Sequence, residues 1–282
     1  MNIIRIQDLK TKELQIFAQT SEVQLLRYYE PEPGIFIAES QNVVLRAIEA
    51  GHIPFQILVE DKLYEKHIPQ VIESIEKLHG IGAADNLVIY VGDHEILKNL
   101  TGYALVKGLW AAFRRDPVLS LEEFLKDKNR IAVLFDIVNP TNVGAIVRSA
   151  AAMGADGVVL TRASVNPLYR RASRVSMGTV FQIPWTQATT EESQGTRLID
   201  LLKEQGFTTA AMALTDKSVG IDDERVKGRD RLAVVLGTEG FGLPQDVINS
   251  CHQTIRIPMH HGVDSLNVAA ASAVAFWELF RK

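Results

Sequence analysis

The sequence predicts an α/β fold, on three observations. Short apolar runs alternate with helix-period stretches along nearly the whole chain, the spacing of βαβ units. Runs such as residues 131–135 (IAVLF) are apolar throughout, as strands buried on both faces of a parallel sheet are. From Arg231 to the end, two such runs (232–236 and 255–257) break abruptly into a glycine- or histidine-bearing loop. Ser265-Leu266-Asn267 then opens a last apolar segment. Polar atoms therefore gather at two strand ends, where α/β sheets bind ligands.

Taken in order, residues 1 to about 28 read as loosely amphipathic helix. Residues 34–39 read as a strand, with Ser40 as N-cap of a helix that Gly51 ends. A strand at 55–60, a helix at 69–79, a strand at 87–91 and a helix capped by Asp93 complete a small α/β domain over residues 1–115. Between Lys107 and Arg130 the periodicity lapses, so residues 116–128 read as a linker with one short helix. The second domain, 129–282, starts with the strand at 131–135. Helix then alternates with strand: helices at 143–153, 168–177 and 196–205, and strands at 158–160, 181–185, 207–214 and 232–236.

Composition narrows the class. The chain has 282 residues, 46% hydrophobic and 23% charged, enough to bury a real core. One cysteine, Cys251, excludes an internal disulfide framework and suits a reducing, cytoplasmic setting. The N-terminus lacks a signal-peptide pattern, and no apolar run approaches the ~18 residues of a membrane span. A net charge of −4 gives no global sign of nucleic-acid binding. Locally, however, no acidic residue falls between Asp156 and Glu191, where Arg162, Arg170, Arg171 and Arg174 lie. That face suits phosphate contacts or is a solvated helix surface.

Of the residues that could carry chemistry, the loop Gly237-Thr238-Glu239-Gly240-Phe241-Gly242 lacks the spacing and position of a dinucleotide-binding fingerprint, which argues against a nicotinamide enzyme. Three glycines suggest a backbone bared for a ligand's approach. Asn142 and Asn267 each stand where a helix begins, and each alone reads as an N-cap, with Thr141 and Ser265 as competitors. Arg148 lies in an otherwise uncharged helix and needs a partner, either a carboxylate (Asp136 or Glu239) or a bound phosphate. The adjacent His260-His261 and the single Cys251-His252 pair give no metal-ligand spacing, and Ser265 has no triad partners.

Together, NPTNVGAIVRSAAAMGADGVVL (139–160), LGTEGFGLP (236–244) and IPMHHGVDSLNVAAASA (257–273) resemble, in order and spacing, the three motifs of the SpoU/TrmH branch of the SPOUT RNA methyltransferases. RVSMGTVFQIPW (174–185) resembles that family's connecting segment. The first domain, with IAES and GYALVKGLWAAFRR, is similar to the substrate-binding domain many members carry, which resembles kink-turn-binding ribosomal proteins. The resemblance implies a C-terminal trefoil knot, which periodicity could not reveal. It implies S-adenosylmethionine held around Leu236, Gly237, Gly240, Ile257, Met259, Ser265, Leu266 and Asn267. It also implies a homodimer packed through the C-terminal domain.

The reaction implied is methyl transfer to a ribose 2′-hydroxyl of structured RNA, ribosomal rather than transfer RNA, with Arg148, Asn142, Glu239, Ser265 and Asn267 at the catalytic site. The family's first-motif arginine falls on Arg148 and is usually assigned to deprotonating the hydroxyl. A guanidinium, with an ordinary pKa above about 12, is an awkward base, so a phosphate-binding and alkoxide-stabilising role is preferred here. The alternatives are a transfer-RNA methyltransferase and a non-catalytic, dimeric RNA-binding protein on the same fold. Intact Arg148, Glu239, Ser265 and Asn267 argue against the latter.

Overall fold

The structure is a computed structural model that describes residues 1–6, 12–101 and 108–281. The chain divides into two compact units: Met1–Pro117 with Leu168–Gln182, and Val118–Pro167 with the rest. In the first unit the strands are β1 (Asn2–Arg5), β2 (Ile35–Glu39), β3 (Pro54–Glu60), β4 (Val88–Gly92) and β5 (Leu109–Arg114). Its helices are α1 (Gln15–Ala18), α2 (Glu22–Leu26), α3 (Gln41–Glu49), α4 (Asp61–His79) and α5 (His94–Thr101). The sheet order is β1-β4-β3-β5-β2, with β5 antiparallel to both neighbours and the other pairings parallel.

Four expectations fail here for identifiable reasons. Residues 2–5 form an edge strand rather than helix, and being exposed on both faces they carry no alternation to read. Residues 109–114 form β5 instead of fading into a linker. Five of the six are buried, so the run is uniformly apolar, and its two alanines disguise it. Helix α4 begins eight residues before Pro69, the proline lying inside the helix instead of opening it. Ser40 makes no side-chain cap and instead sits at φ 78°, its N–H donating to the Leu109 carbonyl at 2.8 Å. Asp93 does cap α5, accepting from the Ile96 N–H at 2.8 Å.

Residues 168–182, which carry α8 (Arg170–Val175), are packed into the first unit. Phe181 tilts against Phe36 at 5.4 Å, and Phe36 stacks on Phe113 at 5.0 Å, worth about 0.5–1.5 kcal/mol beyond area burial. The expected strand at 181–185 is a 3-10 turn (Thr179–Phe181) followed by a shorter strand at 185–187.

The second unit holds strands β6 (Arg130–Leu134), β7 (Gly157–Leu160), β8 (Trp185–Gln187), β9 (Thr208–Met212), β10 (Val219–Gly220), β11 (Leu232–Leu236) and β12 (Gln253–Arg256). They form a wholly parallel sheet in the order β10-β12-β9-β11-β6-β7-β8. Its helices are α6 (Leu121–Leu125), α7 (Pro140–Ala152), α9 (Arg197–Glu204), α10 (Glu224–Lys227), α11 (Gln245–Ser250) and α12 (Val268–Phe280). Ile131, Val133, Ala233 and Val235 bury one sheet face against α6, α9 and α11. The alternate residues Ala132, Leu134 and Val234 are equally buried, which is why these strands read as continuous apolar runs. Helix α12 packs on α7. Residues 116–128 are thus more than a linker, since α6 plants Leu121, Phe124 and Leu125 in this core.

Candidate functional site

The site is built where three neighbouring strands end. In the sheet β12, β9 and β11 lie side by side, all parallel, so their C-terminal loops converge. After β11, residues 237–243 double back tightly. A Cβ on Gly237 would stand 2.5 Å from the Gly242 carbonyl carbon and from the Leu243 nitrogen, so no other residue fits. Gly240 and Gly242 sit at φ 88° and 68°, and the Gly242 N–H closes the turn on the Thr238 carbonyl at 3.0 Å. The glycines thus serve the loop's own fold first, a reason the sequence reading gave to the ligand. Leu243 returns to the core, while Glu239, Gly240 and Phe241 face outward.

After β12, residues 257–266 turn through His261 and Gly262, at φ 58° and 71°, before entering α12. Asn267 caps that helix, its Oδ1 accepting from the Ala269 N–H at 3.0 Å. Its Nδ2 donates to Asn142 Oδ1 at 3.5 Å. Asn142 is not a cap: Asn139 caps α7, accepting from the Thr141 N–H at 2.9 Å, and Asn142 lies buried in the first turn. The third loop, after β9, is braced by Ser218, whose hydroxyl donates to the Ala213 carbonyl at 2.8 Å.

These loops enclose a cavity of about 720 Å³, within the range of small-molecule sites. Leu236, Gly237, Gly240, Ile257, Met259, Ser265, Leu266 and Asn267 all line it, as does Glu239. Sequence reasoning missed Met212–Thr215, Phe241, Arg256 and Asp264. Only the β12-β9-β11 order would have pointed to the first of these, and strand order is not written in local periodicity. Arg148 is not in the wall. It is exposed, about 240° round α7 from Asn142, and among the described residues no ion pair or hydrogen bond engages it. Neither Asp136 nor Glu239 is its partner; Asp136 instead accepts from the Thr161 hydroxyl at 2.7 Å.

The four arginines expected to contact RNA divide into two with internal partners and two that are exposed. Arg170 Nε donates to Glu22 at 2.7 Å and Nη1 to the Phe17 carbonyl at 2.7 Å. Arg174 Nη1 donates to Glu39 at 2.7 Å, and Glu39 is only 3% exposed. Both guanidiniums are engaged within the first unit, Arg174 by a buried carboxylate that needs a cation beside it, and Arg170 by the partly exposed Glu22 and the Phe17 carbonyl. Arg162 and Arg171 are exposed. Among the described residues no cluster of three or more His, Cys, Asp or Glu could hold a metal ion, and no helix is long and apolar enough to cross a membrane. Burial pushes the Cys251 thiol up to about 11, so it stays neutral, and His252 Nδ1 is engaged by the Thr209 N–H at 3.1 Å.

A roomy cavity with a few convergent polar groups, at the ends of adjacent parallel strands, is the arrangement in which α/β proteins bind small organic molecules. More particularly, the chain belongs to the SpoU rRNA methylase family, which residues 129–277 match, and is an RNA methyltransferase of the SpoU/TrmH type. An uncharacterized tRNA/rRNA methyltransferase of Mycobacterium bovis is 32% identical over 88% of this chain and 81% of its own. The fold resembles the AdoMet-bound rRNA methyltransferase of Sinorhizobium meliloti, with a TM-score of 0.77, 24% identity, and coverage of 98% of this chain and 97% of that one. An RNA 2′-O ribose methyltransferase structure aligns with a TM-score of 0.73 at 23% identity, over 98% of this chain and 97% of its own.

Proposed function

We propose that this protein transfers the methyl group of S-adenosylmethionine to a ribose 2′-hydroxyl of structured RNA, with ribosomal RNA as the substrate class. The observation that carries this reading is the coincidence of the cavity wall with the glycine-loop and Ile-Pro-Met motifs. The residues suit the cofactor. Leu236, Ile257 and Met259 offer an apolar slot for an adenine ring, and strand-end backbone groups offer donors and acceptors for its edge. Bound there, the cofactor would supply an electrophilic methyl on a sulfonium, whose sulfur would leave as a neutral thioether when the ribose oxygen takes the methyl.

The chain's own part is orientation and charge. Asn267, fixed by its cap and by Asn142, and Glu239 on the cavity rim would position the ribose. Arg148, with its charge unspent, would bind the target phosphate and stabilise the negative charge that grows on the 2′-oxygen as its proton passes to solvent. Its place outside the cavity wall supports a site completed across a homodimer, for which α12 offers apolar surface at Val274 and Trp277, 39% and 52% exposed. The strand order, with β11 inserted between β9 and β6 and α12 returning to α7, is compatible with a knotted C-terminus.

Titration of the protein with S-adenosylmethionine in a calorimeter tests the cavity assignment. One site per chain is expected, weakened at least tenfold by Gly237→Val. Absence of binding would return the chain to a non-catalytic RNA-binding scaffold.

A further inference from the structure

Phe241 is 97% exposed, yet it stands at the apex of the loop that carries Glu239 and lines the same cavity as Ser265 and Asn267. Scattered exposed apolar residues need no explanation. This one is presented, since left-handed glycines flank it on both sides and the Thr238–Gly242 hydrogen bond closes the turn beneath it. The ring is too exposed to belong to the apolar slot, whose inner surface Leu236, Ile257 and Met259 already supply. Its free face stands at the rim, beside the carboxylate assigned to ribose positioning.

Specific RNA recognition mostly targets single-stranded loops and bulges, whose splayed nucleobases are held by stacking on aromatic side chains. Resting on the proposed function, we infer that Phe241 is a stacking platform for a nucleobase at or next to the methylated nucleotide, setting affinity for RNA without touching the cofactor. Stacking tolerates any base, so Phe241 would hold the target without selecting its sequence.

The test compares wild type, Phe241→Ala and Phe241→Trp. Methyl incorporation into total RNA from cells lacking the protein is followed against RNA concentration, with S-adenosylmethionine affinity by calorimetry and mass by sedimentation. Phe241→Ala should raise the RNA concentration for half-maximal methylation roughly 5- to 100-fold. Cofactor affinity and mass should not change, and Phe241→Trp should stay within about twofold of wild type. An unchanged RNA dependence in Phe241→Ala would overturn the inference. So would weakened cofactor binding, which would make Phe241 a cofactor cap, or a changed mass, which would make it an interface residue. A wild type that methylates no RNA would instead overturn the proposed function, and this inference with it.

Discussion

Asn267 and Asn142 meet across 125 residues of sequence, the Nδ2 of the first donating to the Oδ1 of the second at 3.5 Å. The contact ties the cap of the C-terminal helix to the buried first turn of α7, so the first and third family motifs are physically one structure. At that length the bond is weak. Asn267→Ala should cost about 1 kcal/mol, chiefly through the lost cap. A double-mutant cycle with Asn142→Ala, read by urea denaturation, should give a coupling of about 0.5–1 kcal/mol.

Arg148→Ala should leave S-adenosylmethionine affinity within about twofold while turnover falls by roughly 10²- to 10³-fold, as when an oxyanion stabiliser is removed. The dimeric reading adds a sharper check. An equal mixture of Arg148→Ala and Glu239→Ala chains, refolded together, should recover about a quarter of wild-type activity if Arg148 serves the partner's cavity. If each chain uses its own arginine, the mixture stays inactive.

Gly237→Ala and Gly240→Ala should differ although both lie in one loop. At 237 the new methyl would strike backbone at 2.5 Å, so the loop must move; the expected cost is about 1–3 kcal/mol with loss of cofactor binding. At 240 nothing lies within 4 Å, and only the left-handed φ opposes the change, at about 1–2 kcal/mol. Thermal melts with and without cofactor separate the two.

In the pair Glu39–Arg174 the carboxylate is buried and the arginine is the indispensable half. Arg174→Ala would strand a carboxylate that is 3% exposed, costing near the low end of ~3–5 kcal/mol because the arginine side chain is itself 33% exposed. Burial pushes the Glu39 carboxyl above its ordinary range, with Arg174 and then Arg170 opposing. The folded chain therefore keeps this proton to higher pH than the unfolded chain. Stability from this group is greatest below the unfolded carboxylate pKa, about 4.3, and falls as pH rises through the folded value. Urea midpoints across that window should fall with pH more steeply in Arg174→Ala than in wild type, and the Glu39 contribution should vanish in Glu39→Gln.

The second unit was largely legible because its central strands are buried on both faces, leaving runs such as 131–135 and 232–236 with no rival reading. The cavity-lining motifs were legible through resemblance, and the structure gathers them. What the sequence hid was relational. Strand β9 contributes Met212–Thr215 only because it lies between β11 and β12, a pairing no local pattern encodes. Arg170 and Arg174 looked like a basic face because their carboxylate partners, Glu22 and Glu39, lie more than a hundred residues away in sequence. Residues 102–107 of the expected RNA-binding segment lie outside the described residues.

The most direct measurement is to incubate the purified protein with methyl-labelled S-adenosylmethionine and total RNA from cells lacking it, then hydrolyse the RNA with alkali. A ribose 2′-O-methyl blocks cleavage of its own phosphodiester, so the label should appear in a single alkali-resistant dinucleotide derived from ribosomal RNA. Label recovered on a base within a fully cleaved mononucleotide would contradict the account.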